Sequence, residues 1–252
     1  MRRALRLLVL AITLAAAVAG AHVAPSVDDN NRYIKVSPAA DRVRVAYTVF
    51  FGEVPGAQTR PSIDANHDGA ISDEEGQAFG VKLAGQVGTS LELTIDGTTQ
   101  PVAWSTVAVG MGSPQVAAGS FSVDMIAWVC LPQVRGRHTL GLRDRFRVPH
   151  PGETEIKVED GPGITVESAR VGRQSDPAND FRFAGPGGPL MDDGLDLAFV
   201  AGDSAPLTND GTCTGAGAKK PVPKALVIGL AAGLAAVLAL VVVTIQRKKR
   251  KA

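Results

Sequence analysis

Cysteine is scarce in this sequence: two residues in 252 are too few for a disulfide framework. There is no Gly-X-Y period, so the chain is not collagen-like, and 45% hydrophobic residues exclude a wholly disordered one. No G-x-S-x-G, H-E-x-x-H, P-loop or dinucleotide fingerprint is present, and nothing nominates a nucleophile. The chain is therefore expected not to be an enzyme. There is no internal repeat and only one sequence of calcium-loop type.

An excess of positive charge is also missing where nucleic acid would need it. The formal net charge is +1, but the charges are segregated. Nine basic residues lie at the ends: Arg2, Arg3 and Arg6, then Lys224, Arg247, Lys248, Lys249, Arg250 and Lys251. Between them 17 basic residues face 25 acidic ones, a net −8. An acidic middle argues against nucleic-acid binding and suits a cation.

The two ends read as addresses. Residues 1–21 have a basic start, an apolar run from Leu7 to Val18 broken only by Thr13, and the small residues Ala19-Gly20-Ala21. That is the pattern of a secretory signal, cut after Ala21. Residues 225–245 are 21 residues without a charge, about 30 Å as a helix. A transmembrane helix is expected over 224–246, with the basic tail 247–252 in the cytoplasm. The expectation is a single-pass membrane protein with its domain outside the cytoplasm. Gly229 and Gly233 form a G-x-x-x-G pair that would let two helices approach as a homodimer. A C-terminal sorting signal that is cleaved has a similar three-part layout; retention of the anchor is the reading adopted.

Residues 22–201 read as one extracytoplasmic β-rich domain, and residues 202–223, poor in bulky apolar groups, as a flexible stalk. Val43, Val45, Tyr47, Val49 and Phe51 alternate with smaller or polar residues, the mark of a half-buried strand. Leu91, Leu93 and Ile95 do the same, then Asp96-Gly97 turns the chain, and residues 102–107 are expected to return as the second arm of a hairpin. Phe121, Val123, Met125 and Ala127 form another set. Shorter runs are 138–142, 155–158, 164–166 and 195–200, while 172–191 reads as a long loop. Many short strands between Gly, Pro and Asp turns predict a mainly β protein, a β-sandwich-like fold. In an oxidising compartment Cys130 and Cys213 are expected to pair. The bridge would close a loop of about 80 residues, worth roughly 4 kcal/mol in the chain-entropy account.

The strongest chemical signal is residues 64–75, D-A-N-H-D-G-A-I-S-D-E-E, which fill an EF-hand-type calcium loop. Asp64, Asn66 and Asp68 stand at positions 1, 3 and 5, where side-chain oxygens are needed. Gly69 stands at position 6, where the chain turns sharply. Ala70 offers its carbonyl at position 7, Ser72 acts through water at position 9, and Glu75 at position 12 has two carboxylate oxygens. This hard oxygen set favours Ca²⁺ over Zn²⁺ or Cu²⁺. Ser72 and Glu75 also spell a capping box, which predicts a helix over about 73–87 with Phe79, Leu83 and Val87 on one face. Gly76, Gly80 and Gly85 weaken that helix, so it needs tertiary packing. Before the loop, Pro55 and Pro61 leave no room for a full entering helix. A lone loop flanked on one side predicts a Kd of order 10⁻⁴–10⁻³ M and a structural clamp rather than a sensor.

Other candidates are weaker. His22 would be the mature N-terminus, offering an amine and a ring nitrogen to Ni or Cu, with a second imidazole from His138 or His150. Transition-metal binding or delivery through His22 is the alternative function. Asp192, Asp193 and Asp196 form an acidic cluster, and Arg143, Arg145 and Arg147 alternate as an anionic partner site would.

Two stretches carry a resemblance. R-V-R-V-A-Y-T-V-F-F-G-E-V-P runs into I-D-A-N-H-D-G-A-I-S-D-E-E and then L-E-L-T-I-D-G; later come H-T-L-G-L-R-D-R-F and E-I-K-V-E-D-G-P-G-I-T-V. Together, over residues 32–200, they resemble the extracytoplasmic domain that precedes bacterial nickel/cobalt transporters of the NicO/RcnA-like class. The resemblance implies Asp64, Asn66, Asp68, Ala70, Ser72 and Glu75 as ion ligands and a membrane transporter as partner. It brings no transport activity, because one span makes no pore.

Overall fold

The computed structural model describes residues 28–159, 161–172, 174–175, 182–183, 194–208 and 213. The signal at 1–21, His22, most of the stalk, the span at 224–246 with Gly229 and Gly233, the tail, and Asp192 and Asp193 lie outside the described residues. Among the described residues no helix is long and apolar enough to cross a membrane.

The chain is mainly β, in two six-stranded sheets. The strands are β1 (Asn30–Pro38), β2 (Arg42–Phe51), β3 (Leu91–Ile95), β4 (Thr98–Gln100), β5 (Trp104–Gly110), β6 (Phe121–Cys130), β7 (Gly136–Asp144), β8 (Pro151–Val158), β9 (Ile164–Val171), β10 (Gln174–Ser175), β11 (Arg182–Phe183) and β12 (Leu195–Ala201). The first sheet runs β11-β8-β1-β2-β6-β5 and the second β10-β9-β12-β7-β3-β4. All pairings are antiparallel except β1 with β8. Helix α1 (Glu53–Thr59), a 3-10 turn (Arg60–Ser62) and helix α2 (Asp73–Ser90) fill the connection between β2 and β3.

Alternation explains most of these strands. In β2 and β6 every second residue is buried, and Val43, Val45, Val49, Val123 and Met125 are fully so. The facing side chains of the second sheet, among them Leu93, Leu142, Leu195 and Phe199, complete one shared apolar cluster. Each such side chain contributes roughly 1.5–3 kcal/mol by leaving water.

Three expectations need correcting. The Asp96-Gly97 turn is present, with both residues at positive φ (50° and 76°), but the returning strand is β4, not 102–107. Pro101 has no N–H to continue the ladder, and the chain crosses to the first sheet, where β5 pairs with β6. Strand β1 is an addition. Its inward positions include Arg32, so no apolar alternation marks its first half. The segment 172–191, expected as a long loop, contains the two-residue strands β10 and β11.

The inward Arg32 of β1 is paired with a residue of the other sheet. Arg32 donates to Asp144 Oδ2 (2.7 Å) and to the Phe146 carbonyl (3.1 Å). The Tyr47 hydroxyl donates to the same Oδ2 (2.7 Å), and the Phe146 amide to Oδ1 (2.9 Å). Burial outweighs the Arg32 guanidinium and raises the Asp144 pKa, while burial, with Asp144 beside it, raises that of Tyr47. This cluster joins β1 and β2 of one sheet to β7 of the other.

Cys130 and Cys213, 83 positions apart in sequence, form a disulfide with Cα atoms 5.3 Å apart. The preceding segment is held at the same end: Thr208 Oγ1 donates to Asp41 (2.6 Å), and Arg135 to the Ala205 carbonyl (3.4 Å).

Candidate metal centre

Helix α1 is seven residues long and the 3-10 turn that follows has Pro61 near its start. This short arm delivers Asp64, 6% exposed, to the head of the loop. The loop folds on its own side chains. The amides of Asp68 (3.2 Å) and Gly69 (3.1 Å) donate to the two oxygens of Asp64. Asn66 Oδ1 accepts from the Asp68 amide (2.9 Å), and Asp68 Oδ1 from the Ala70 amide (2.8 Å). Gly69 has φ 85°, a left-handed conformation that a side chain would strain. His67 also lies at positive φ (59°) and is exposed, away from the ligand positions.

Glu75 closes the loop. Its Oε1 accepts from the amides of Ala65 (2.8 Å) and Asn66 (3.2 Å), and its Oε2 from the Ser72 amide (2.9 Å) and hydroxyl (3.0 Å). Ser72 Oγ in turn accepts from the Glu75 amide, so the capping box is complete at the start of α2. Hydrogen bonds from Ser72, then those from Ala65 and Asn66, hold the Glu75 carboxyl below the usual range.

A second segment takes the place of a paired loop. The Ile71 amide donates to the Pro114 carbonyl (2.6 Å) and the Val116 amide to the Gly69 carbonyl (3.1 Å). They form an isolated antiparallel bridge of Ala70 with Gln115. In such a pair the N–H and C=O of Ala70 itself turn away from Gln115. The N–H meets Asp68 Oδ1 on the loop side. Ile71, 4% exposed, anchors the loop in the core.

The segment 111–120 is itself fixed by Arg60, a residue that sequence reasoning missed. Arg60 is fully buried, and its guanidinium donates to five backbone carbonyls: Gly119, Ser113, Gln115, Met111 and Ser120. It also lies 5.5 Å over the Phe121 ring. Burial draws its pKa down, while Glu53 nearby opposes the fall. Backbone acceptors leave no trace in sequence, so no pattern announces this role.

Helix α2 carries the far side. Gly80 lies against β5: a Cβ there would meet Val109 Cγ2 at 2.5 Å and Val107 Cγ1 at 3.3 Å. Gly85, by contrast, has open space around it. Leu83 and Val87 are buried as expected and Phe79 half-buried, stacked edge-on against Phe51 and Phe121.

The donor set therefore fits a hard divalent cation in chemistry and in backbone course. Among the described residues, however, no three His, Cys, Asp or Glu side chains gather as a metal-holding group. The oxygens of Glu75, like those of Asp64 and Oδ1 of Asp68, are turned onto backbone amides of the loop. A cation held by Asp64, Asn66, Asp68, the Ala70 carbonyl and Ser72 would draw the Glu75 carboxylate from cap to ligand.

The other candidates are placed differently. His138 is buried, with Nδ1 2.8 Å from Asp96 Oδ2 and Nε2 3.1 Å from the Arg135 carbonyl, so it offers no free nitrogen to His22. His150 is exposed. Arg143 and Arg170 both bind Asp196, and Arg145 binds Glu92 at 2.7 Å. Of these, Arg170 and Asp196 line a cavity of about 620 Å³ on the second sheet, together with Gly141, Glu167 and Ala198. Arg147 is exposed beyond the end of β7. No family model matches this sequence, and no curated protein matches it.

Proposed function

We propose that this chain is a membrane-anchored, extracytoplasmic calcium-binding module. Its β-domain is held to the bilayer by residues 225–245, and calcium at residues 64–75 stiffens it. On this reading it is an accessory to a membrane partner, such as the metal-ion transporters whose extracytoplasmic domain it resembles. It catalyses no reaction.

One observation carries the calcium reading. Every oxygen position of the loop pattern is occupied, on a backbone that turns at Gly69 and folds back on Asp64 and Asp68. The role of the ion follows from where the loop is tied. Arg60 and Ile71 connect it to segment 111–120 and the core, and Glu75 starts α2. A cation there draws together three elements that the apo loop holds by hydrogen bonds alone. Stiffening, not a large opening, is the expected consequence.

Calorimetric titration of the full chain in detergent micelles tests this. One Ca²⁺ per chain is expected, with Kd of order 10⁻⁴–10⁻³ M. Asp68→Asn keeps the acceptor for the Ala70 amide and removes the charge, and should weaken binding about tenfold, 1.4 kcal/mol. Absence of calcium heat, or a calcium signal unchanged by Asp68→Asn, would refute the assignment.

A further inference from the structure

The described chain leaves the domain at one defined place. Cys213 is bonded to Cys130, the last residue of β6, and the apolar run begins only 12 residues later at Ala225. On the stalk reading of the sequence, twelve residues reach roughly 20 Å on average. The Cys130 end of the sandwich is thus the end nearest the anchor. The calcium loop is at the other end, beside the start of β6 at Phe121. The ten residues of β6 separate the two by about 30 Å.

Five large hydrophobic side chains are exposed among the described residues: Val54, Val81, Trp128, Val134 and Leu207. Three of them gather at the anchor end. Trp128 (41% exposed) is two residues from Cys130. Val134 (39%) precedes Arg135, whose amide donates to the Ala40 carbonyl and whose guanidinium reaches Ala205. Leu207 (47%) precedes Thr208, bound to Asp41. All three are therefore fixed on rigid backbone rather than on a loose end.

Their polar neighbours suit a lipid headgroup layer. Half-buried Arg44 stands opposite Trp128 in the β2–β6 register; the Arg42 guanidinium lies 5.7 Å over the Trp128 ring but is 1% exposed, so it holds the indole in place and does not itself reach the headgroups. The nearby acid Asp41 is already taken up by Arg42 and Thr208. An amphipathic indole with the Arg44 guanidinium beside it is the pairing that settles at the water–hydrocarbon boundary.

We infer that the Cys130–Cys213 end, through Trp128, Val134 and Leu207, seats on the phospholipid surface in which the same chain is anchored. The domain then stands with its calcium loop directed away from the membrane, open to a partner or to external calcium. The inference rests on the anchored reading above. The disulfide gives the seating its rigidity, because it holds the chain exit against β6.

The test uses the full chain in phosphatidylcholine vesicles, with and without bromine on the acyl chains near the headgroup. Trp104 and Trp128 are the only tryptophans. Trp104 is half-buried and donates to the Ala84 carbonyl on α2, so it should not sense the bromine. Brominated lipid should lower the emission of the wild type and of Trp104→Phe, and leave Trp128→Phe unchanged. Equal emission in both lipids, with the chain floating with the vesicles, would overturn the seating alone. Quenching that ignores bromine and rises with protein per vesicle would assign the face to a second copy and also overturn it. A chain that does not float with the vesicles would overturn the anchor itself.

Discussion

Replacing Arg60 with Met keeps an apolar stem in the same space and removes all five donors. The five carbonyls of segment 111–120 then lose a charged partner at once. A hydrogen bond to a charged group is worth roughly 1.5–3 kcal/mol, but five to one guanidinium do not add, and part of the segment can take up water. A net loss of about 3–5 kcal/mol is expected, near that for orphaning one partner of a buried pair. In a domain of this size each kcal/mol moves Tm by about 2–4 °C, so a fall of roughly 10 °C should appear in thermal unfolding. Arg60→Lys, whose ammonium has three donors and no fork, should lie between. Hydrogen exchange gives the local signature: the amides of Ile71 and Val116, which tie segment 111–120 to the calcium loop, should exchange faster in Arg60→Met. A loss below about 1 kcal/mol with unchanged exchange at both amides would refute the role given to Arg60.

Three further outcomes follow from the same structure. Gly80→Ala should destabilise by about 1–3 kcal/mol through its clash with Val109, whereas Gly85→Ala, in open space, should stabilise by about 0.5–1 kcal/mol; chemical denaturation measures both, and equal signs would be inconsistent. Arg32→Met should cost about 3–5 kcal/mol by leaving the buried Asp144 without its cation, and Tyr47→Phe about 1.5–3 kcal/mol; Arg32→Met combined with Asp144→Leu and Tyr47→Phe, which removes the buried charge and the hydroxyl that it holds, should be less destabilised than Arg32→Met alone. Acid should weaken the fold through Asp41, Glu159 and Asp196. Burial alone would raise these carboxyls, but bonds from Thr208 and Arg42, from Lys35 and Ser37, and from Arg143 and Arg170 hold them below the ordinary range. Their contribution is present above the unfolded value of about 4 and disappears as pH falls through the lower folded values. Tm measured across that range should fall, and Asp196→Asn should make the slope shallower.

What the sequence discloses here is what repeats locally. β2, β3, β6 and α2 show their periods openly, because each buries one apolar face. The turn at residues 64–75 is legible for the same reason, as twelve consecutive residues carry the pattern that places Gly69 at positive φ and Ser72 at the start of α2. β1 is hidden because its inward Arg32 is satisfied by Asp144, a residue 112 positions away. The hairpin after Asp96-Gly97 is misjudged because Val102 and Val107 match a strand pattern that says nothing about which sheet they join. Arg60 is invisible because its partners are backbone carbonyls. The state of Glu75 is hidden too: cap and ligand ask for the same residue at the same spacing, and only its hydrogen bonds tell which role it holds.

The most direct measurement is the melting temperature of the full chain in micelles with chelator and then with about ten times Kd of Ca²⁺, in wild type and in Glu75→Gln. Linkage gives roughly 1–2 kcal/mol of stabilisation at that occupancy, about 3–6 °C for a domain of this size. The account predicts that rise in wild type and little or none in Glu75→Gln, whatever the variant's own melting temperature. No rise in wild type, or an equal rise in both, would contradict a structural calcium site at residues 64–75.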